Sequence, residues 1–339
     1  YNEIKSIYIR NRERVNSVNT LYSFFTNPVL TASTFLLELQ SVFFQPIWKE
    51  YNYDDYFTYK VYVPSTYTGL SKVPLIVMLH GCQQDADDFA AGTEMNKLAE
   101  EKGFIVLYPQ MNYFANSNGC WNWFYEYNQF RGNGEPDIIK DMIDHITAKY
   151  AIDSTNIYLA GMSAGGFMAN VMAIAYPDVF KAVGIHSAGS NAYAVDLITA
   201  GEVMLYGSLN PELDGDEAYK KMGPYARPVP IITFHGQSDT TVTPINASTL
   251  IQQWIYTYKN FGINLHENAA FYTSQDNGNH YSYIMSDYID AENKIWMKKI
   301  MVEDMGHAWS GGNDNGSDTD SKGPNASKMM WDFFEAQND

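Results

Sequence analysis

Basic residues are scarce in this chain. Only 22 Lys and Arg stand against 39 Asp and Glu, and the resulting formal charge of −17 repels phosphate backbones and anionic lipid alike, so neither nucleic acid nor a membrane surface is an expected partner. Cysteine is scarcer still: Cys82 and Cys120 are too few for a disulfide scaffold, although their even number permits one bridge. No run reaches the ~18 uninterrupted apolar residues of a membrane span. The nearest candidate, residues 21–48, is broken by Asn27-Pro28, Glu38 and Gln45-Pro46, and within it residues 30–39 read as a short apolar helix packed on the body or lying near a cleft. Charged residues make up 18 % against 45 % hydrophobic, which removes the signature of disorder and predicts a globular chain with a large core. What the chain has in excess is aromatic: 26 Tyr, 18 Phe and 7 Trp suit either a Tyr-rich core and rim or a shallow binding cleft.

The order of elements alternates. A half-exposed strand is predicted over 56–63, then an uninterrupted apolar run over 73–79 of the kind buried on both faces of a parallel sheet. A helix follows over 86–102, a second buried strand over 104–108, and an Asn/Gly/aromatic loop over 110–134 too long to be filler. Further helices are expected at 135–150, 163–176, 247–260 and 325–335, and strands at 156–160, 181–186, 230–235 and 295–302. Repeated βα units of this kind imply an α/β fold with a mostly parallel central sheet and helices on both faces. No internal repeat and no Pro/Ser linker divides the 339 residues, so a segment of unassigned role at 1–54 is expected to pack on one catalytic domain at 55–339, with an insertion at 190–228 capping one edge.

The sharpest chemical feature is Gly161-Met162-Ser163-Ala164-Gly165-Gly166, set between a buried strand and a helix. That context is what a G-x-S-x-G nucleophile elbow requires, because small neighbours allow a tight turn that lifts the serine hydroxyl clear of the sheet. A serine needs a base, and the base needs a carboxylate to fix its tautomer. In this arrangement the acid follows the serine and the histidine follows the acid. Asp239 lies in Gly236-Gln237-Ser238-Asp239, just after one strand, and His307 in Gly306-His307-Ala308-Trp309, just after the last. Both occupy carboxyl ends of strands, where open α/β sheets place their ligands. His80, His186 and His235 also cap strands and are expected to hold loops as neutral imidazoles. Oxyanion donors are expected from the backbone N–H of Ala164 and of Cys82, the latter in the loop His80-Gly81-Cys82-Gln83.

Five motifs in order extend the pattern: His80-Gly81-Cys82-Gln83-Gln84, Cys120-Trp121-Asn122-Trp123-Phe124, the elbow at 161–166, His235-Gly236-Gln237-Ser238-Asp239, and Gly306-His307-Ala308-Trp309-Ser310-Gly311-Gly312. Together they resemble the polyhydroxybutyrate depolymerase family of esterases, which includes feruloyl and acetylxylan esterases, over roughly residues 55–336. The resemblance implies an α/β-hydrolase fold, a Ser163–Asp239–His307 triad, the oxyanion role of the Cys82 backbone, a Cys82–Cys120 bridge, and a secreted enzyme acting on a neutral polyester or ester; a monomer is expected separately, without support from any motif. Trp309 is expected to reach the cleft and hold the apolar part of the substrate. Gln83 is a further expected contact, and Trp121 either joins them or stiffens its loop. Asp314, Asp318 and Asp320 have the spacing of a calcium loop but lack its terminal Glu, so neither a metal nor a cofactor is expected.

Overall fold

The computed structural model describes residues 45–54, 57–190, 194–273 and 279–338. Strand β1 (Ile47–Asn52) pairs antiparallel with β2 (Thr58–Val63). These are followed by β3 (Val73–Leu79), helices α1 (Ala86–Thr93) and α2 (Met95–Lys102), β4 (Ile105–Gln110) and α3 (Gly134–Lys149). The chain continues through β5 (Ile152–Met162), α4 (Ala164–Ala175), β6 (Ala182–His186), α5 (Leu197–Tyr206), α6 (Pro211–Met222), β7 (Ile231–Gly236) and α7 (Ile245–Asn260). It closes with β8 (His266–Tyr272), β9 (Tyr283–Ile289), β10 (Ile295–Val302), the short β11 (Trp309–Ser310) and β12 (Thr319–Asp320), and α8 (Ala326–Glu335).

Ten strands form one sheet in the order β1-β2-β4-β3-β5-β6-β7-β10-β9-β8. The block from β4 to β10 is parallel, and an antiparallel pair flanks it on each side. The apolar run at 73–79 explains why β3 lies inside that block. Leu75, Val77 and Leu79 join a core with Ile139, Phe167 and Trp254 of α3, α4 and α7. Ile76 and Met78, facing the other way, join a second core with Phe89, Leu98 and Trp331 of α1, α2 and α8. With a side-chain period of two, a strand covered by helices on both faces must be apolar throughout. This is the α/β-hydrolase fold.

Four details depart from expectation. The helix expected over 86–102 is two helices, because Glu94 adopts the left-handed conformation between them (φ 51°). The hairpin β8–β9 was not legible as strands: β8 is exposed along its whole length as the sheet's edge, so it carries no burial alternation. The region after β6 does not cap a sheet edge, since α5 packs on α7 and α6 on α4 and α7, over the middle of the sheet. Finally, β1 draws residues 47–52 of the N-terminal segment into the sheet, whereas the apolar stretch at 30–39 lies outside the described residues.

Candidate active site

Each residue of interest lies at or just beyond the carboxyl end of a parallel strand. Cys82 follows β3, Ser163 follows β5, His186 ends β6, Asp239 follows β7 and His307 follows β10, and these five strands are consecutive neighbours in the sheet. Adjacent strands lie ~4.8 Å apart, so the topology alone gathers residues from distant parts of the chain.

The elbow is tightly constrained. Ser163 holds φ 55° and ψ −123°, a region that costs a non-glycine residue roughly 1–3 kcal/mol and persists only when its surroundings enforce it. Enforcement comes from close packing: a Cβ on Gly161 would collide with the Gly165 carbonyl, and one on Gly165 with the carbonyls of Leu79 and His80. The Ser163 N–H donates to the His186 carbonyl at 3.0 Å. Ala164, the first residue of α4, therefore presents an N–H with no partner inside the helix.

His307 and Asp239 are paired. The imidazole Nδ1–H donates to Asp239 Oδ2 at 2.7 Å, while Asp239 Oδ1 accepts from the N–H groups of Thr241 and Val242, both at 2.9 Å. The carboxylate can only accept, so Nδ1 carries the proton and Nε2 is left with its lone pair. The His307 side chain keeps 15 % of its surface in solvent while that of Asp239 has none, which puts the imidazole at the surface and the carboxylate behind it. Burial pushes the Asp239 carboxyl up, but the two imidazoles beside it, His307 at 2.7 Å and His235 at 3.5 Å, outweigh it and hold the group well below the usual carboxylate range. The His307 turn is fixed to the end of β7 by Gln237 N–H to Val302 O (2.8 Å) and Ser238 N–H to Met305 O (2.9 Å). Among the described residues no hydrogen bond joins Ser163 Oγ to His307, a contact that commonly tightens only with substrate in place.

The three other strand-capping histidines act as braces. His80 Nε2 accepts from the Met111 N–H (3.0 Å), so Nδ1 donates to the Gly81 carbonyl (2.7 Å). Because a trans peptide points its C=O and N–H in opposite directions, that bond turns the Cys82 N–H away from His80. Gly81 itself lies against Ser163, since a Cβ there would stand 3.4 Å from Ser163 Cβ. His186 Nε2 accepts from Ser310 N–H at 3.0 Å. His235 Nε2 donates to Val242 O at 2.7 Å. Burial lowers the pKa of both His80 and His186, keeping them neutral.

Cys82 and Cys120 form a disulfide, which ties the loop after β3 to the Trp-rich loop. Gln83, at the exposed turn beyond it (φ 62°), donates its N–H to Asn118 O at 2.8 Å. The two tryptophans expected at the cleft are elsewhere. Trp309 is 1 % exposed, stacked on His186 at 4.9 Å with Nε1 donating to Ser327 Oγ, and so belongs to the core between the sheet and α8. Trp121 is equally buried, beside the His80 ring. Neither offers a surface to substrate; both stiffen what carries the site.

Two groups escaped sequence reasoning. Gln84 accepts the Gly81 N–H with Oε1 (2.9 Å) and donates with Nε2 to Asp88 Oδ2 and Ser317 O, both at 3.0 Å. It thus joins the loop after β3 to the loop that follows His307. Glu135 is buried and receives the N–H (2.7 Å) and Nδ2 (2.6 Å) of Asn122, between the two tryptophans. Burial pushes its carboxyl up to about 7, against the pull of those two bonds. Gln84 closes the first of the five motifs, which gives it no role of its own, and no short motif marks Glu135. Asp314, Asp318 and Asp320 do not converge: among the described residues no group of three or more potential ligands could hold a metal ion.

The description Esterase PHB depolymerase matches residues 57–264. Poly(3-hydroxyalkanoate) depolymerase C of Paucimonas lemoignei is 38 % identical over 186 residues, which are 54 % of this chain and 45 % of the relative. Probable acetylxylan esterase A of Neosartorya fischeri is 31 % identical over 202 residues, 57 % of this chain and 54 % of the relative. The chain spans about half the length of these curated relatives. Among solved structures, the acetyl xylan esterase from Aspergillus awamori superposes with a TM-score of 0.66 at 23 % identity, covering 85 % of this chain and 99 % of that one, a likeness of fold. With the family matched over more than half of its residues and the strand-end geometry in place, this chain belongs to the esterase PHB depolymerase family.

Proposed function

We propose that this chain is a secreted, monomeric serine esterase that hydrolyses poly(3-hydroxybutyrate)-type polyesters through an acyl-enzyme intermediate. The observation that carries the chemistry is the 2.7 Å His307–Asp239 pair at the same edge of the sheet as a serine in the strained elbow conformation. His307 Nε2 takes the proton of Ser163 Oγ as the oxygen attacks the ester carbonyl, and Asp239 stabilises the imidazolium. The tetrahedral oxyanion lies between the N–H groups of Cys82 and Ala164. Its collapse breaks the ester C–O bond, and His307 returns the proton to the departing alcohol. Water, deprotonated by the same imidazole, then attacks the acyl carbonyl and frees the 3-hydroxy acid and Ser163.

The polyester substrate is supported by the higher identity to the Paucimonas lemoignei depolymerase than to the acetylxylan esterase, and the disulfide accords with secretion. Gln83 is taken as a substrate contact, a reading its exposure in the turn after Cys82 supports. The alternative is a feruloyl or acetylxylan esterase, a reading favoured by relatives of both names. Clearing of a poly(3-hydroxybutyrate) suspension, run beside release of ferulate from methyl ferulate and acetate from acetylxylan, separates them. Clearing as the dominant activity supports the polyester, and cleavage of the plant esters with an unchanged suspension refutes it.

A further inference from the structure

Gly81 joins two peptide groups, the second of which carries the Cys82 N–H, and a glycine is the residue whose φ and ψ its own side chain restricts least. Gln84 holds both groups. Its side-chain Oε1 accepts the Gly81 N–H (2.9 Å), and its own N–H donates to the Gly81 carbonyl (3.4 Å), to which His80 Nδ1 also donates (2.7 Å). The first peptide group is pinned from its other side as well, since the His80 carbonyl lies so close to Gly165 of the elbow that a Cβ there would collide with it. Rotation about either bond of Gly81 would swing the Cys82 N–H, and these contacts oppose it.

The Gln84 amide is itself held in one orientation. Asp88 Oδ2 and Ser317 O, both 3.0 Å from Nε2, can only accept, so the amide nitrogen faces them and Oε1 faces Gly81. Asp88 also accepts the Ser317 N–H (2.9 Å) and hydroxyl (2.6 Å). The loop around Ser317 is fixed to α1 a second time by Asn313 N–H to Gly92 O (2.8 Å). Gln84 is 4 % exposed, and an amide buried in this way cannot turn over without stranding a donor or an acceptor.

From this we infer that Gln84 is a positioning residue for the reaction: it fixes the conformation of Gly81, and with it the aim of the Cys82 N–H at the oxyanion, against a support made of Asp88 and the loop that follows His307. Its contribution falls in the transition state, where the oxyanion exists, and not in the binding of the ester. A donor shifted by about 1 Å loses much of that stabilisation. The inference deepens the serine mechanism proposed above and rests on it.

The test is Gln84→Met in the full chain, which keeps the length of the side chain while removing the acceptor for Gly81 and the donors to the support. Two quantities are read: kcat and kcat/KM for p-nitrophenyl butyrate, and Ki for an alkyl trifluoromethyl ketone. Ser163 Oγ adds to the carbonyl carbon of that ketone as its proton passes to His307, and the C=O π pair moves onto oxygen, leaving an alkoxide where the oxyanion forms. The inference expects kcat and kcat/KM to fall together by about 10- to 100-fold, and Ki to rise by the same factor. Asp88→Ala should move both quantities in the same direction, and should add less than about twofold when Gln84 is already Met. A folded Gln84→Met protein with native kcat and Ki overturns the inference, as does a loss of kcat at native Ki. Should Gln84→Met fail to fold, a native Ki in the Asp88→Ala protein overturns it. The mechanism fails separately: a ketone that leaves the native enzyme uninhibited, or binds the Ser163→Ala protein as tightly as the native one, sinks the serine mechanism, whereas native inhibition beside an unaffected Gln84→Met protein sinks the role of Gln84 alone.

Discussion

Asp239→Asn replaces one atom and should disable the base without moving it. In the native protein Asp239 Oδ1 accepts two backbone N–H groups, from Thr241 and Val242, and Oδ2 accepts Nδ1–H of His307. An asparagine has only one oxygen. Turned toward His307, that oxygen would leave the NH2 facing both backbone N–H groups, stranding two donors at about 1–3 kcal/mol each. Held on the backbone donors, it leaves the NH2 facing His307 Nδ1, which must then accept. The second arrangement costs less, and it moves the imidazole proton to Nε2, the nitrogen that has to receive the serine proton. The expected fall in kcat is roughly 10⁴, the loss typical of a wrong-tautomer triad, or about 5 kcal/mol of transition-state stabilisation. The assay is p-nitrophenyl butyrate hydrolysis at saturating substrate, with near-UV circular dichroism confirming native packing. A folded Asp239→Asn protein that keeps more than about a tenth of the native kcat would refute the assignment of Asp239 as the orienting acid.

Other outcomes follow from the same geometry. Trp309→Ala should behave as a core deletion, lowering stability by about 3–5 kcal/mol in urea titration while KM for a soluble ester changes little; a large rise in KM at native stability would restore Trp309 to the cleft. Glu135 makes stability depend on pH with a definite sign. Because its carboxyl is raised from 4.5 to about 7, the native state holds that proton more tightly than the unfolded chain, so its contribution is complete below pH 4.5 and lost as pH rises through 7. Glu135→Gln should remove that loss, flattening the change in unfolding free energy between pH 5 and 8 by about 3 kcal/mol. Parallel curves for the two proteins would show that Glu135 is not titrating in this range.

How far the sequence could be read depended on the range of the interaction that decides each feature. Strand β3 was legible because a strand covered on both faces has to be apolar at every position, as Leu75–Leu79 are. Ser163 was legible because its backbone conformation demands glycines at fixed offsets, and Asp239 and His307 because each closely follows a buried strand. Trp309 misled because a place two residues after His307 says nothing about direction; its side chain turns inward, where Ser327, on a different element, offers its indole N–H a partner. The bridging role of Gln84 was invisible for the same reason, its partner Ser317 being 233 positions away. Glu135 read only as an acidic residue in the first turn of a helix, a favourable place on electrostatic grounds, and its burial depends on a loop whose path no local pattern specifies. Strand β8 lacked a signal because an exposed edge strand has no buried face to pattern it.

The central claim is that Ser163 is a nucleophile activated by the His307–Asp239 pair. Intact-protein and peptide mass spectrometry after treatment with a fluorophosphonate tests it directly, since the reagent forms a stable adduct with a serine whose proton a neighbouring base can remove. The account predicts a single adduct mapped to Ser163, complete loss of ester hydrolysis as it forms, and no adduct on the Ser163→Ala protein. An unlabelled Ser163 in an active preparation, or a Ser163→Ala protein that still hydrolyses esters at the native rate, would contradict it.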